Sequence, residues 1–518
     1  MQEGSVPFYL ELEDKSMGNG QKVYEDYFAR NVDKSTLKNQ AVKGGLVSLT
    51  SRTLSIGVHL IGVMILARLL SPDDFGLVAM ASVFTNIFFV FQDVGLTDAT
   101  IQAEALDHNI VSTLFWINSG IGLLIAIILA ALAPLAVLFF KRKELLPILL
   151  VLSTGFIFWG LSVQHLALLK RRLLFFKVSV INILSHFMGI AAAVLIAIAG
   201  MKYWALVLRE VTWALFTFIL TWLYCQWRPG LPSKSPEVKK LLRFGANSVG
   251  FYIFDYFSKN MDKTIIGKRF GSEPLGFYSR ACYIAVTPSA QLSGSLFHVA
   301  VSTLSKLRED KKRFLKYYSN AISLISFIGM PFSSFIVVMN KELVYILLGP
   351  KWGPTAELFG ILGLSAGSYI IYQTSGWLHV SLGRSDRWLK WGIFNSIILI
   401  AGFFLGLIFG INGVAWALSL SIIALTTPSI LYAGRPVLMS LSAFLGAISN
   451  NTVAAIISGV LFWQIKIQLF DSLSLVPRVT LSIILYIVLY LLILALFSRG
   501  FGKIHEYLLQ IKSGLYLK

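Results

Sequence analysis

The sequence has little charge and almost no cysteine, and both shortages narrow the class of protein that it encodes. Charged residues make up 14% of the 518 residues and hydrophobic residues 56%, with a mean hydropathy of +0.72. Soluble domains carry about a quarter charged residues. The two cysteines, Cys225 and Cys282, fall in or beside different apolar runs, so neither a disulfide framework nor a cysteine metal cluster is expected. The composition excludes an ordinary soluble globule and indicates a multi-pass membrane protein.

Motifs for common enzyme chemistry are also missing. The chain has no His-Glu-x-x-His zinc motif, no glycine-rich phosphate loop and no nucleotide-binding domain. No large loop on the predicted outer side is available to hold paired carboxylates for glycosyl transfer. We therefore expect no cofactor, no metal site and no enzymatic activity, and we favour movement of a substrate.

Long apolar runs recur through the whole chain and are separated by short polar turns. A helix needs about 20 residues to cross a bilayer, whereas a barrel strand needs about ten. We predict an all-α polytopic membrane protein of about 14 transmembrane helices, arranged as two parallel six-helix bundles plus an extra helix pair. The predicted spans are 45–69, 75–95, 111–140, 145–169, 176–199, 203–226, 243–267, 275–302, 317–347, 355–381, 389–410, 412–433, 439–465 and 476–498.

These spans divide the chain into six regions. The polar start has no apolar core before a small-residue cleavage site, so no signal peptide is expected there. The clearest linker, which contains RPGLPSKSP, separates the two halves. In order, the regions are a cytoplasmic extension with an interfacial helix (1–43), the first bundle (44–227), a cytoplasmic linker (228–242), the second bundle (243–433), the extra helix pair (434–498) and a basic tail (499–518) expected to form an interfacial helix.

The turn between the first two spans recurs 200 positions later. Residues 66–76, LARLLSPDDFG, align without gaps on residues 266–276, IGKRFGSEPLG. Both copies read as a basic residue, a short turn with proline and acid, and then glycine. We interpret this as an internal duplication. Because each half has an even number of spans, the halves are predicted to run parallel about an axis along the membrane normal.

Basic residues exceed acidic ones, 45 against 26, for a formal charge of +19. Most of them lie in connecting turns, and the turns assigned to the cytoplasm carry more of them than the opposite turns do. This predicts that both termini are cytoplasmic. The charge thus reports topology and attraction to anionic membrane lipid rather than a nucleic-acid partner. A basic cavity for an anionic substrate is compatible with it.

Some charged residues fall inside the apolar spans, where they are costly and usually functional. In the seventh span four of them share an arc of about 100°. The candidates for substrate binding are Arg52, His59, Lys259, Lys263 and Arg280, and those for ion coupling or pairing are Asp255, Asp262 and Asp93. One interpretation is that they are ion pairs that fix helix packing. The other is a cavity that holds phosphate, because the basic groups outnumber the acids. Arg209 and Glu210 are interpreted as a local ion pair.

The first hairpin resembles the amino-terminal signature of Wzx-type polysaccharide flippases. The likeness is carried by ARLLSPDDFGL at 67–77, DVGL at 93–96 and IQ at 101–102. The most similar branch is that of the colanic-acid and teichuronic-acid exporters, in the superfamily that includes lipid II flippases and multidrug and toxin extruders. The resemblance implies two bundles around a cationic cavity that work by alternating access. Its implied substrate is a polyprenyl-diphosphate-linked oligosaccharide, carried across the bacterial cytoplasmic membrane, and its implied partners include a polysaccharide polymerase or export machinery.

The resemblance also assigns roles to the candidate residues. Arg52 and Arg280 stand where related flippases keep cavity arginines, which implies that both bind the diphosphate. Lys259 and Lys263 would assist, and His59, Asp255 and Asp262 would titrate or pair during the cycle.

Three other functions remain open from the residues alone. A cation-coupled multidrug-type exporter would favour an acidic cavity for its cationic substrates. A membrane-bound glycan polymerase or ligase would need catalytic residues at the outer face. A scaffold without a substrate would use the intramembrane charges for folding only.

Overall fold

A computed structural model describes residues 54, 57–93, 96–103, 106–233, 260–470, 473–498 and 500–512. Within these ranges all regular structure is helical and no strand occurs. The predicted extension 1–43 and three candidate site residues, Arg52, Asp255 and Lys259, lie outside the described residues.

The helices of the first lobe follow the predicted spans closely, except that the span 145–169 is divided by a short turn after Gly160. The first lobe comprises α1 (Gly57–Leu69), α2 (Pro72–Asp93), α3 (Leu96–Gln102), α4 (His108–Phe140), α5 (Leu145–Gly160), α6 (Val163–Arg171), α7 (Phe175–Ile198) and α8 (Trp204–Tyr224).

In the second half, the predicted spans 317–347 and 355–381 are each divided, near Met339 and Thr374. The second lobe comprises α9 (260–270), α10 (Ser272–Lys306), α11 (Lys311–Val338), α12 (Asn340–Leu347), α13 (Gly353–Gln373), α14 (Ser375–Ser381), α15 (Ser385–Gly406) and α16 (Gly410–Gly434). The extra pair is α17 (Leu441–Leu469) and α18 (Leu475–Phe497), and α19 (Gly502–Lys512) follows it.

Nine of the described segments are long and apolar enough to cross a membrane. The longest of them, Ser385–Val437, turns back at 407–409 and so comprises both α15 and α16. Helices α1, α2, α9 and α10 occupy the places of the predicted first, second, seventh and eighth spans. The prediction of an all-α membrane protein with about fourteen spans is confirmed.

The start of α2 shows why the polar turn stops one helix and begins the next. The Ser71 backbone N–H donates to the Asp74 carboxylate at 2.9 Å, and the Asp74 N–H donates back to the Ser71 hydroxyl at 3.3 Å. This is a capping box, with Pro72 at the first helical position. It fixes the direction in which α2 leaves the turn.

The two copies of the duplicated turn meet each other. Gly76 lies against the carbonyl of Ser272, and Gly276, its equivalent 200 positions on, lies against the carbonyl of Pro72. A Cβ on Gly76 would stand 1.7 Å from the Ser272 oxygen, and one on Gly276 would stand 1.9 Å from the Pro72 oxygen. The contact is reciprocal, as in an isologous interface between identical subunits. This reciprocity supports the internal duplication.

The extra helix pair is attached to the second lobe by a buried ion pair. Lys466 of α17 lies 2.7 Å from Glu342 of α12, and Arg478 of α18 lies 3.8 Å from the same carboxylate oxygen. At the opposite end, Tyr507 of α19 hydrogen-bonds to Ser323 of α11 at 2.7 Å. The tail therefore contains the expected helix, and that helix buries one face against the bundle.

Candidate substrate cavity

A cavity of about 770 Å³ lies between the two lobes. Helices α2, α5 and α8 of the first lobe line one side, and α9, α10 and α13 to α16 of the second lobe line the other. Three basic and two acidic side chains face it, namely Arg209, Lys263, Arg280, Glu210 and Asp262. The structure thus brings together three of the predicted site residues, Asp262, Lys263 and Arg280, at a single cavity.

The Arg280 guanidinium lies near two aromatic rings. It lies 4.8 Å from the ring centre of Phe75 and 5.2 Å from that of Tyr283. Its Nε atom is buried and has no hydrogen-bond partner in the structure, and no carboxylate among the described residues forms an ion pair with it. The aromatic faces hold the cation by cation–π attraction and leave its donors available for an anion.

The two acids of the cavity already have partners. Glu210 forms an ion pair with its neighbour Arg209, as predicted. The Asp262 carboxylate accepts a hydrogen bond from the Tyr278 hydroxyl at 2.8 Å and another from the Lys263 backbone N–H at 2.7 Å. Lys263 directs its amine to the Asn260 amide oxygen at 3.2 Å, and the donors to Asp262 among the described residues are neutral. The described lining therefore keeps a surplus of positive charge.

His59 lies behind the cavity wall. Its ring is 5.5 Å from the ring of Tyr283, which lines the cavity, and 6.0 Å from that of His186. His186 in turn stacks on Trp213 at 4.5 Å. His59 is thus in contact with the lining through Tyr283, and its role in binding stays a prediction.

The remaining candidates do not reach the described part of the cavity. Arg52, Asp255 and Lys259 fall outside the described residues, and Asp93 is the last residue of α2, with a side chain that also falls outside them. Their roles stay predictions.

Sequence reasoning missed the uncharged side of the cavity. Aromatic and amide side chains of α13 and α15 line it, namely Tyr369, Tyr372, Gln373, Trp388, Trp391 and Asn395. The available signal was the spacing of Trp388, Trp391 and Asn395, which places all three on one face of α15. Arg209 was also missed as a lining residue, because its pairing with Glu210 accounts for its charge locally.

One end of the cavity is closed by contacts between the lobes, and we call this the closed end. The Trp352 indole donates to the Ala67 carbonyl at 2.8 Å, and Arg68 donates to the Ile346 carbonyl at 2.9 Å. Arg142, after α4, donates to the Ser272 hydroxyl at 2.6 Å and forms an ion pair with Asp73 at 3.1 Å. These polar contacts surround the reciprocal glycine contact.

The electrostatics of the closed end stabilise the charged form of Asp73. Partial burial alone would raise the pKa of this carboxyl, but hydrogen bonds from Arg142 and Ser272 and the charge of Arg142 together hold it below its ordinary value. The pKa of Arg142 is raised in return, chiefly by its hydrogen bond to Asp73. Both groups are therefore charged at neutral pH.

Among the described residues, no group of three or more His, Cys, Asp or Glu side chains is placed to hold a metal ion. The described lining offers arginine and lysine for the binding of an anion, next to aromatic and amide surfaces.

The architecture is that of a known class of membrane transport proteins. The structure matches a lipid II flippase, MurJ, in an inward closed conformation, with a TM-score of 0.71 and 15% identity over 88% of this chain and 99% of that one. It also matches a multidrug transporter of the MATE family in an inward-facing conformation, with a TM-score of 0.57 and 12% identity over 76% and 98% of the two chains. At these identities the likeness shows the fold alone.

The sequence comparisons identify the family. The family described as "Polysaccharide biosynthesis protein" matches residues 65–357, more than half of the chain, and the chain belongs to it. Among its relatives is the lipopolysaccharide biosynthesis protein WzxC of Escherichia coli, 24% identical over 72% of this chain and 76% of that protein. Another is the teichuronic acid biosynthesis protein TuaB of Bacillus subtilis, 23% identical over 60% and 64% of the two chains. The expected resemblance to polysaccharide exporters is confirmed.

Proposed function

We propose that this protein is a flippase that moves polyprenyl-diphosphate-linked oligosaccharide units across the bacterial cytoplasmic membrane by alternating access, for the assembly of exopolysaccharide or lipopolysaccharide. The observation that carries the proposal is Arg280. It faces a cavity between two lobes, its guanidinium lies against aromatic rings, and no described carboxylate forms an ion pair with it. Lys263 adds a second cation in the same cavity.

This arrangement suits a substrate that has a polar head group and an apolar chain. A diphosphate and hydroxyl-rich sugars are costly to move into hydrocarbon, whereas the polyprenyl chain is stable there. A cavity inside the protein that offers cations to the diphosphate removes that cost, and arginine suits the task because its donors match phosphate geometry. The relatives support this substrate class, because their names connect them to lipopolysaccharide and teichuronic acid biosynthesis.

The proposal includes an orientation. The basic turns predict that both termini are cytoplasmic, which puts the closed end at the outer face of the membrane. The substrate would then reach the cavity from the inner leaflet, and release would require the lobes to separate at the closed end. Binding alone gives no direction, so transport depends on a gradient or on consumption of the product, for which a polysaccharide polymerase or export machinery is the natural partner.

The rival functions predict different results in one assay. Purified protein is reconstituted in liposomes with a fluorescent polyprenyl-diphosphate disaccharide, and accessibility of the label to an external quencher reports its leaflet. We expect the protein to equilibrate the label across the bilayer and leave a lipophilic cation such as ethidium where it was loaded. Movement of ethidium without the disaccharide would favour the multidrug exporter. Lengthening of the glycan without movement would favour a polymerase or ligase. The absence of both movement and lengthening would favour a scaffold.

A further inference from the structure

We propose that α13 and α15 of the second lobe form a saccharide-binding subsite, separate from the cations that take the diphosphate. This inference rests on the proposed function and adds to it where the sugar rings lie. The subsite consists of Tyr372 and Gln373 of α13 together with Trp388, Trp391 and Asn395 of α15, and we call it the sugar subsite.

The helical spacing directs these side chains to the cavity. Trp388, Trp391 and Asn395 occupy positions i, i+3 and i+7 of α15 and therefore share one face. Further along the same face the lining becomes apolar, with Leu399 and Phe403. Polar and aromatic lining is thus confined to the first half of α15.

Contacts behind the subsite fix its geometry. The Trp391 indole donates to the Tyr372 hydroxyl at 3.2 Å and thereby joins α15 to α13. The other side of the Trp391 ring stacks on Tyr432 of α16, with 5.5 Å between ring centres. Trp391 is only 8% exposed, whereas Trp388 is half-buried and has more of its surface available. A binding surface fixed in this way loses little entropy when a ligand binds.

The chemistry of this surface matches a sugar better than it matches a phosphate or a lipid chain. None of the described residues of α13 to α16 that line the cavity is charged. A pyranose ring presents a face of C–H groups, which packs on the electron-rich face of an aromatic ring, and it presents hydroxyls at its edge. The amides of Gln373 and Asn395 each offer donors and an acceptor to such hydroxyls. Simple core packing would not place two amides beside aromatic residues on the cavity side.

The sugar subsite and Arg280 lie at different depths along the helices. Arg280 is eight residues after the first residue of α10, and Trp391 is fifteen residues before the last residue of α15. The predicted topology puts both of these helix ends on the side of the closed end. At 1.5 Å rise per residue the two differ in depth by about 10 Å. That separation lets a diphosphate bound at Arg280 direct its attached sugars along α15, away from the closed end.

Two kinds of probe separate the sugar contribution from the diphosphate contribution. One probe is farnesyl diphosphate without a sugar. The other is a panel of three compounds, in which farnesyl diphosphate carries a disaccharide of glucose, galactose or N-acetylglucosamine. Binding to the purified full-length protein is measured by microscale thermophoresis for wild type, Trp388→Ala, Asn395→Ala, Arg280→Ala and the control Trp463→Ala. Trp463 is an exposed residue of α17 that does not line the cavity, so it controls for loss of a tryptophan. Trp391→Phe keeps an aromatic ring at the buried position and removes the indole donor to Tyr372.

The proposal predicts that at least one disaccharide probe binds wild type more tightly than farnesyl diphosphate. Trp388→Ala and Asn395→Ala should weaken that probe about threefold to tenfold and leave farnesyl diphosphate binding unchanged, whereas Arg280→Ala should weaken both. The sugar subsite is refuted if no disaccharide adds affinity, or if the two α15 variants bind every probe like wild type. Either result leaves the proposed function standing as long as farnesyl diphosphate binds; if no probe binds wild type, the proposed function fails as well.

Discussion

Gly76 and Gly276 hold equivalent places in the two repeats, and each lies against the backbone of the other repeat. Gly76 faces the Ser272 carbonyl and Gly276 the Pro72 carbonyl, too close in both cases for a side chain. Helices α2 and α10 therefore approach each other as closely as backbones allow, as small residues permit in membrane helices. This contact closes one end of the cavity.

Adding a methyl group at either glycine should separate α2 from α10. The Cβ of Gly276→Ala would meet a carbonyl oxygen at 1.9 Å, so the backbones must move apart, at a cost of about 1–3 kcal/mol. We expect a lower midpoint of thermal unfolding. The matched control is Gly120→Ala in α4, where a Cβ meets nothing within 4 Å. Equal midpoints for the two variants would contradict the closed contact.

Acid should weaken the closed end through Asp73. Because the pKa of Asp73 is lowered in the folded protein, its contribution to stability is present above the ordinary carboxyl pKa of about 3.9 and is lost as the pH falls below that value. The unfolding midpoint of wild type should therefore drop as the pH falls below about 4. The unfolding midpoint of Asp73→Asn should be lower than that of wild type at neutral pH and should drop less on acidification. Glu309→Gln, at an exposed carboxyl, changes the charge equally and should retain the wild-type profile; if it behaves like Asp73→Asn, the effect is not specific to the closed end.

Removing the hydroxyl of Tyr278 should destabilise the protein. Tyr278 is fully buried, and its hydroxyl donates to Asp262, which is 4% exposed. Tyr278→Phe leaves that carboxylate with one donor fewer, at a cost of about 1–3 kcal/mol. Tyr345→Phe, at a residue 40% exposed, is the control. The measurement is thermal unfolding in detergent, and a variant as stable as the control would mean that the hydrogen bond contributes nothing.

The extra helix pair should depend on Glu342. The side chains of Glu342 and Lys466 are 9% and 12% exposed, so Glu342→Gln leaves a largely buried cation without its counter-ion, at a cost of about 3 kcal/mol. We expect faster proteolysis between α17 and α18 together with a lower unfolding midpoint. Glu357→Gln changes an exposed carboxyl and should have neither effect. Wild-type proteolysis of Glu342→Gln would show that packing alone holds the pair.

The fold was largely accessible from the sequence because bilayer thickness fixes the length of an apolar run. The span predicted at 176–199 is the helix Phe175–Ile198, and that predicted at 412–433 is Gly410–Gly434. The breaks near Met339 and Thr374 were missed, because the polar residues at 340–342 and 373–375 are few and apolar sequence resumes after them. Whether the helix breaks there depends on which neighbours it packs against.

Only part of the site could be predicted from the sequence. Arg280, Lys263 and Asp262 could be predicted because a charge inside an apolar span is costly and needs a reason. The spacing of Trp388 and Trp391 predicts a shared helical face but not what that face contacts, because tryptophan near the end of a span is usual at a membrane interface. Only the packing of α15 against α13 and α16 shows that these rings face a cavity.

Substitution of Arg280 decides whether the diphosphate crosses the membrane through the cationic cavity. In liposomes at matched amounts of folded protein, Arg280→Ala should slow transfer of the labelled polyprenyl-diphosphate disaccharide about tenfold or more, because charge-assisted hydrogen bonds are lost. Arg280→Lys, which keeps the charge, should retain part of the rate. Arg269→Ala removes an exposed arginine of α9 and should transfer like wild type. Transfer at the wild-type rate by Arg280→Ala would mean that the diphosphate does not pass through the cationic cavity.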